Sequence, residues 1–92
     1  MLYLITYNII PGPNNVQFFT AIQTSSTAWW HYIDSAWIIR SDLTANQIST
    51  NLAPHVNISF NNLLIVKIDT DITNRQGWLP REAWDWITQH IN

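Results

Sequence analysis

The 92-residue sequence contains no cysteine and only two glycines, at positions 12 and 77. Without cysteine, a disulfide framework, thiolate metal ligands and a thiol nucleophile are excluded. Phosphate-cradling loops and dinucleotide fingerprints need several closely spaced glycines, so these nucleotide-binding motifs are excluded as well. Three histidines without helical or strand spacing indicate no zinc site.

Charge is also scarce, because only 11% of the residues are charged and the formal net charge is −2. The four basic residues cannot form a basic stripe. Nucleic-acid binding depends on several Lys or Arg contacts with phosphate, so a single copy is expected to attract nucleic acid poorly. Few charges on the surface also favour self-association. The basic residues are Arg40, Lys67, Arg75 and Arg81.

Long apolar runs are missing too, and no basic start is followed by a cleavable apolar stretch. We therefore expect a soluble, cytoplasmic protein with no membrane partner. Hydrophobic residues nevertheless make up 47% of the chain, which supports a sizeable core. At this length we expect residues 1–92 to form a single domain.

The strand at residues 2–8 is predicted from LYLITYN, which is largely apolar on both of its alternating faces. Such a strand belongs at the centre of a sheet, covered on both sides. Two more strands are predicted at about 28–33 and 36–41, joined by a tight turn at Asp34-Ser35, and a fourth at 63–68.

Three helices are predicted between and after these strands. Pro11, Gly12 and Pro13 break the chain before the first helix, in which Pro13 suits the first turn. Its apolar positions are Val16, Phe18, Phe19 and Ile22. The terminal helix is predicted at about 80–91, where one face carries Ala83, Trp84, Ile87 and Ile91.

The middle helix has the clearest local signal in the sequence. Thr44 is predicted as the N-cap, with Gln47 as its reciprocal partner three residues later. Leu43 is placed to pack onto Ile48 as a hydrophobic staple. Pro54 is expected to end this helix near residue 53.

This order of elements predicts an α+β fold, the ferredoxin-like βαββαβ sandwich with an antiparallel sheet in the order 4-1-3-2 and an extra C-terminal helix. Two helices cover one face of that sheet. The other face is strongly apolar, so either the terminal helix or a second copy must cover it. Alternation leaves open which residues line it, and we assign it the interface residues Tyr3, Ile5, Tyr7 and Trp37.

The same topology places the end of the first strand beside the start of the third. Asn8, Asp34 and Ser35, together with Asn61, are therefore expected at one edge of the sheet. Asn8 is interpreted as capping its strand, or as a metal ligand through its amide oxygen. Asp34 is interpreted as an ordinary turn residue, or as the carboxylate of a catalytic site. His31 is interpreted as packed and hydrogen bonded among tryptophans.

Three segments carry a family resemblance: YLITYNI at residues 3–9, WWHYIDSAWII at 29–39 and GWLPREAWDWI at 77–87. Over nearly the whole chain, the sequence resembles the short bacterial proteins of the SinR family. These in turn resemble the small ferredoxin-like subunit of CRISPR adaptation and the VapD toxin ribonucleases. The resemblance implies a homodimer and a role connected with nucleic acid.

In the nuclease branch of that superfamily, the first strand ends in an aspartate that meets its symmetry mate and is proposed to bind a divalent metal. This chain has Asn8 there. An amide brings no negative charge and cannot act as a general base. The resemblance therefore implies a catalytically degenerate relative, with no cofactor unless Mg²⁺ or Mn²⁺ still binds.

A second hypothesis comes from the six tryptophans. Base stacking on such rings normally accompanies basic residues, which are few here, whereas burial alone stabilises each large apolar side chain by ~1.5–3 kcal/mol. We therefore expect most of them in the core or in an interface. The alternative function is a non-enzymatic module that binds a protein partner through an aromatic sheet face.

Overall fold

The computed structural model describes residues 1–9, 15–56, 61–71 and 75–91. The predicted break at Pro11, Gly12 and Pro13 lies outside these ranges. A short 3₁₀ helix at Ala53–His55 follows the second α-helix, in line with the expected effect of Pro54. The elements, in chain order, are β1 (Leu2–Asn8), α1 (Asn15–Thr24), β2 (Ala28–Ile33), β3 (Ala36–Arg40), α2 (Ala45–Leu52), β4 (Asn62–Lys67) and α3 (Arg81–His90).

The four strands form one antiparallel sheet in the order β2-β3-β1-β4. Read from the other edge, this is the predicted order 4-1-3-2. The α+β ferredoxin-like sandwich with an extra C-terminal helix is therefore confirmed. In the central strand β1, Ile5 lies opposite Trp37 of β3 and Ile65 of β4.

One face of the sheet is covered by α1 and α2. Phe18 and Ile22 of α1, and Ile48 and Leu52 of α2, are fully buried against it. On the sheet side, this core contains the four residues that the sequence analysis assigned to the open face. That assignment is wrong, because α1 and α2 cover the face on which these residues lie and leave the opposite face of the sheet. The residues concerned are Tyr3, Ile5, Tyr7 and Trp37.

The opposite face is covered in part by α3. Ala83 and Ile87 of this helix pack onto Leu2, Trp30 and Ile38. The sequence left open whether the terminal helix or a second copy covers this face. The terminal helix covers at least part of it. No helix in the described ranges is long and apolar enough to cross a bilayer.

Apolar side chains remain exposed on the same face beyond α3. Leu64 and Val66 of β4 are 56% and 44% exposed. They lie opposite Thr6 and Leu4, so they share the face on which α3 packs. An apolar strip therefore runs along the β4 edge of the sheet.

The start of α1 differs from the predicted apolar pattern. Val16 was assigned to the apolar face but is 66% exposed. The side chains of Val16 and Phe18 are two positions apart, so they point about 200° apart around the helix. Because Phe18 and Ile22 face the sheet, Val16 must face away from it.

The N-terminus of α2 carries the predicted capping box. The Gln47 backbone N–H donates to Thr44 Oγ1 at 3.2 Å, and the Thr44 N–H donates to Gln47 Oε1 at 2.9 Å. Two helix-end N–H groups are thereby satisfied. The hydroxyl of Ser41, which is buried, accepts from the Leu43 N–H at 3.1 Å and donates to the Ser25 carbonyl at 2.6 Å. This serine ties α2 to the end of α1.

A chain of hydrogen bonds through Tyr7 joins β1 to the β2–β3 turn. The Trp37 indole Nε1–H donates to the Tyr7 hydroxyl at 3.0 Å, and that hydroxyl donates to the Asp34 carbonyl at 3.1 Å. Burial raises the pKa of Tyr7 above its ordinary value; the bond from Trp37 acts in the opposite direction, and the Asp34 charge adds to the rise. Tyr7 therefore stays protonated as a donor to the turn.

Thr44→Ala should lower the free energy of unfolding by about 1 kcal/mol, because it removes the side-chain acceptor of the capping box. Urea denaturation measures the change. Thr50→Ala is the matched control, since Thr50 lies on the same helix and its hydroxyl donates to the Asn46 carbonyl within the helix. An unchanged midpoint for Thr44→Ala would show that the capping box contributes nothing to stability.

Alkaline pH should destabilise the fold through Tyr7. Its folded-state pKa is raised above the unfolded value of about 10. The contribution of this group is therefore complete below pH ~10 and is lost as pH rises through the folded-state pKa. Urea unfolding between pH 8 and 11.5 should show a steeper loss in wild type than in Tyr7→Phe. The exposed-residue control Tyr32→Phe should follow wild type, and identical curves for all three would contradict the prediction.

Candidate functional site

The end of β1 and the start of β4 form one end of the sheet. Asn8, the last residue of β1, lies opposite Asn62 in the antiparallel register. Asn61 directly precedes Asn62 in the chain. Asn8 is exposed. Strand pairing therefore sets amide side chains next to each other at the position where the sequence predicted a site.

The turn between β2 and β3 contacts the same end of β1 through its backbone. The Ser35 carbonyl accepts from the Tyr7 N–H at 3.1 Å and from Thr6 Oγ1 at 3.1 Å. The Asp34 carbonyl accepts from the Tyr7 hydroxyl. The predicted site residues Asn8, Asp34 and Ser35 thus lie at one end of the sheet.

Nothing in the sequence indicated which atoms make these contacts. Asp34 was predicted to act through its side chain, whereas β1 donates to the backbone carbonyl groups of Asp34 and Ser35. Their side chains are exposed at the turn. Tyr7 was assigned to an interface, but its hydroxyl is one of the groups that anchor the turn. Alternation places it on a strand face without revealing this partner.

A crevice of about 270 Å³ runs along the β1–β4 pair at this end. Among the lining residues that the structure describes, the polar side chains are hydroxyls and amides, with no carboxylate or imidazole. The hydroxyl of Thr6 already donates to Ser35. General acid–base chemistry needs a group that gains or loses a proton near neutral pH, and the crevice supplies none. Its lining residues are Thr6, Tyr7, Asn8, Asn62, Leu63 and Leu64.

The donor set fits a resident divalent cation poorly. Mg²⁺ prefers carboxylate oxygens and near-octahedral geometry. Asn8 and Asn62 offer neutral amide oxygens, and Asp34 in the neighbouring turn is the one acidic residue among the predicted site residues. Across the described ranges, no three His, Cys, Asp or Glu side chains are grouped as metal ligands would be. We therefore derive no metal-dependent step from this arrangement.

An aromatic cluster lies at the other sheet edge, on β2. The His31 ring stacks on Trp37, with centroids 4.3 Å apart and planes 11° apart, and its Nδ1 lies 2.9 Å from the Ala36 carbonyl. Trp29 also contacts Trp37 but is 46% exposed. His31 is therefore stacked on one side and hydrogen bonded, as the sequence suggested, but the residue remains exposed. Trp30 and Trp37 are buried, whereas Trp78 is 98% exposed.

Comparison with known proteins gives one structural likeness. No protein-family model matches the chain. No curated protein sequence matches it either. The structure is similar to the crystal structure of Streptococcus pyogenes Cas2 at pH 6.5, with a TM-score of 0.61 and 13% sequence identity over 87% of this chain and all of the Cas2 chain. At that identity the likeness shows a shared fold, the ferredoxin-like fold that the sequence predicted.

Proposed function

We propose that the chain, acting as a single domain over residues 1–92, is a non-catalytic scaffold: a degenerate relative of the ferredoxin-like metal-dependent nucleases. The observation that carries the proposal is the crevice at the end of β1, where Asn8 stands and no carboxylate or imidazole is found among the lining residues that the structure describes. A nuclease of this type needs charge to hold a cation and a base to activate the attacking water. Asn8 supplies neither.

A connection with nucleic acid, in a CRISPR or toxin-type system, is the second part of the proposal. The fold likeness to Cas2 supports it, and so does the sequence resemblance to the small CRISPR adaptation subunit, the VapD ribonucleases and the SinR family. The low count of basic residues limits the affinity of one copy for nucleic acid, because that copy offers few phosphate contacts. In this proposal an assembly of several copies binds nucleic acid, and a single copy does not. The assembly acts in the cytoplasm.

The third part is that the scaffold is a homodimer. Leu64, which is 56% exposed, and Val66 form an apolar strip on the edge strand β4, at the border of the area that α3 covers. Edge strands present unpaired backbone groups that can pair with a strand of another chain. Few surface charges oppose the approach of a second copy. We place the dimer contact along β4 and not on the buried residues first assigned to it.

The alternative function, a non-enzymatic module that binds a protein partner, is favoured by the β2 edge. Trp29 and Tyr32 are each nearly half exposed there, on a second edge strand. Exposed aromatic residues on a rigid strand are typical anchors of protein interfaces. If the protein associates with a partner through this edge, Trp29→Ala should abolish the association while leaving the β4 contact intact.

Wild-type protein should be inactive on RNA and double-stranded DNA with Mg²⁺ or Mn²⁺, and Asn8→Asp should create or strengthen Mn²⁺ binding. The substitution restores a carboxylate at the end of β1 with almost no change in shape. Isothermal calorimetry with Mn²⁺ measures the binding. Asn46→Asp, which makes the same chemical change at an exposed position of α2, should leave it unchanged.

Two results would contradict this assignment. Cleavage by wild type at a rate that Asn8→Ala leaves unaltered would place the chemistry elsewhere. Equal Mn²⁺ binding by Asn8→Asp and Asn46→Asp would show that the end of β1 is not a potential cation site.

The dimer should dissociate when the strip on β4 is charged. Light scattering at micromolar concentration should give the mass of two chains for wild type and of one chain for Leu64→Lys, because burying an unpaired ammonium is strongly unfavourable. Val16→Lys is the matched control, since Val16 is an exposed apolar residue on α1. A monomeric wild type, or two chains in both variants, would rule out this contact.

A further inference from the structure

A second cavity lies between the sheet and α3. It has a volume of about 390 Å³, within the usual range for small-molecule sites. It lies further along the β1–β4 pair from Asn8, and the described residues that line it differ from those of the crevice there. Its apolar wall is formed by strands β1, β3 and β4, the segment before α3, and α3 itself. The apolar lining residues are Leu4, Ile38, Val66, Ile68, Leu79, Trp84 and Ile87.

One cationic group in this cavity has a nitrogen without a partner. Arg75 lines the cavity, and its Nη1 is buried with no hydrogen-bond acceptor in the part of the chain that the structure describes. A buried donor that makes no bond is costly, and more so when it carries charge. Because protein atoms cover Nη1, an anion in the cavity reaches it only when the Arg75 side chain turns toward the apolar wall, and the new hydrogen bond favours that turn.

The other charged residues of the lining restrict which anion fits. Lys67 adds a positive charge and Asp69 a negative one. Asp69 Oδ1 accepts from the Asp71 N–H at 2.9 Å, so this carboxylate belongs to a local turn. With Arg75, the formal charge of the three groups sums to +1. That balance favours a monoanion over a phosphate dianion, which Asp69 would repel.

We propose that this cavity binds a small amphipathic monocarboxylate, an alkyl or aryl acid. Its carboxylate pairs with Arg75, because the planar guanidinium matches the two oxygens of a carboxylate. Its apolar part packs against Trp84, Leu79 and Ile87, where removal from water supplies further binding energy. Once the Arg75 side chain has turned, the ligand satisfies Nη1 and fills the space beneath α3. The argument for this ligand does not use the scaffold role, although Val66 belongs both to the cavity wall and to the strip on β4.

Titration with sodium octanoate tests it, followed by ¹H–¹⁵N NMR on the full chain. Octanoate should bind saturably and shift the Trp84 indole N–H and the backbone amides of Val66 and Leu79. Octanol, which has the same tail and no charge, should bind at least about tenfold more weakly, since a charge-assisted hydrogen bond is lost. Because this comparison uses wild type alone, it does not depend on the folding of any variant.

Arg75→Gln should also weaken octanoate binding by about tenfold or more. Arg81→Gln should leave it unchanged, because Arg81 is exposed at the start of α3 and does not line the cavity. Equal affinity for octanol and octanoate, equal binding by wild type and Arg75→Gln, or shifts confined to other residues would each overturn the proposal. Tighter binding of a short apolar peptide with a free C-terminus would also overturn it, by assigning the site to a protein terminus.

Discussion

The pairing of β1 with strands on both sides is the constraint on which the rest of the structure depends. Its residues bond to β3 on one side and β4 on the other, and its two faces enter two separate cores. Ile5 packs beneath α1 and α2, whereas Leu2 packs beneath α3. A shift of β1 by one residue would exchange these faces and expose both sets. The register of this strand therefore couples both helical layers.

The same strand determines the character of the candidate site. β1 ends at Asn8, and the Tyr7 just before it anchors the β2–β3 turn through a hydroxyl that burial keeps protonated. The result is a well-positioned strand end whose groups are amides, hydroxyls and carbonyls. Such groups can hold a turn and shape a crevice, but they do not transfer protons at neutral pH. A scaffold that keeps the geometry of its fold without the chemistry of a nuclease is consistent with this arrangement.

Local patterns predicted most elements because they depend on neighbouring residues. The capping box of Thr44 and Gln47 and the hairpin turn at Asp34-Ser35 are examples. β4 was predicted at 63–68 and lies at Asn62–Lys67, a shift of one residue. The gathering of Asn8, Asp34 and Ser35 also followed from topology. The hydrogen bonds that hold the turn did not, because they use carbonyl groups that every residue possesses.

The sequence by itself determined the order of strands and helices, the central position of β1 and the absence of thiol or glycine-loop chemistry. Only the tertiary structure decided which face each helix covers, and so buried Tyr3 and Trp37 beneath α1 and α2. It also decided that α3 returns to the other face and leaves Arg75 beside an apolar cavity. The physical reason is that alternation defines two faces of a strand but does not tell which helix packs on which face. That depends on packing between residues far apart in the chain.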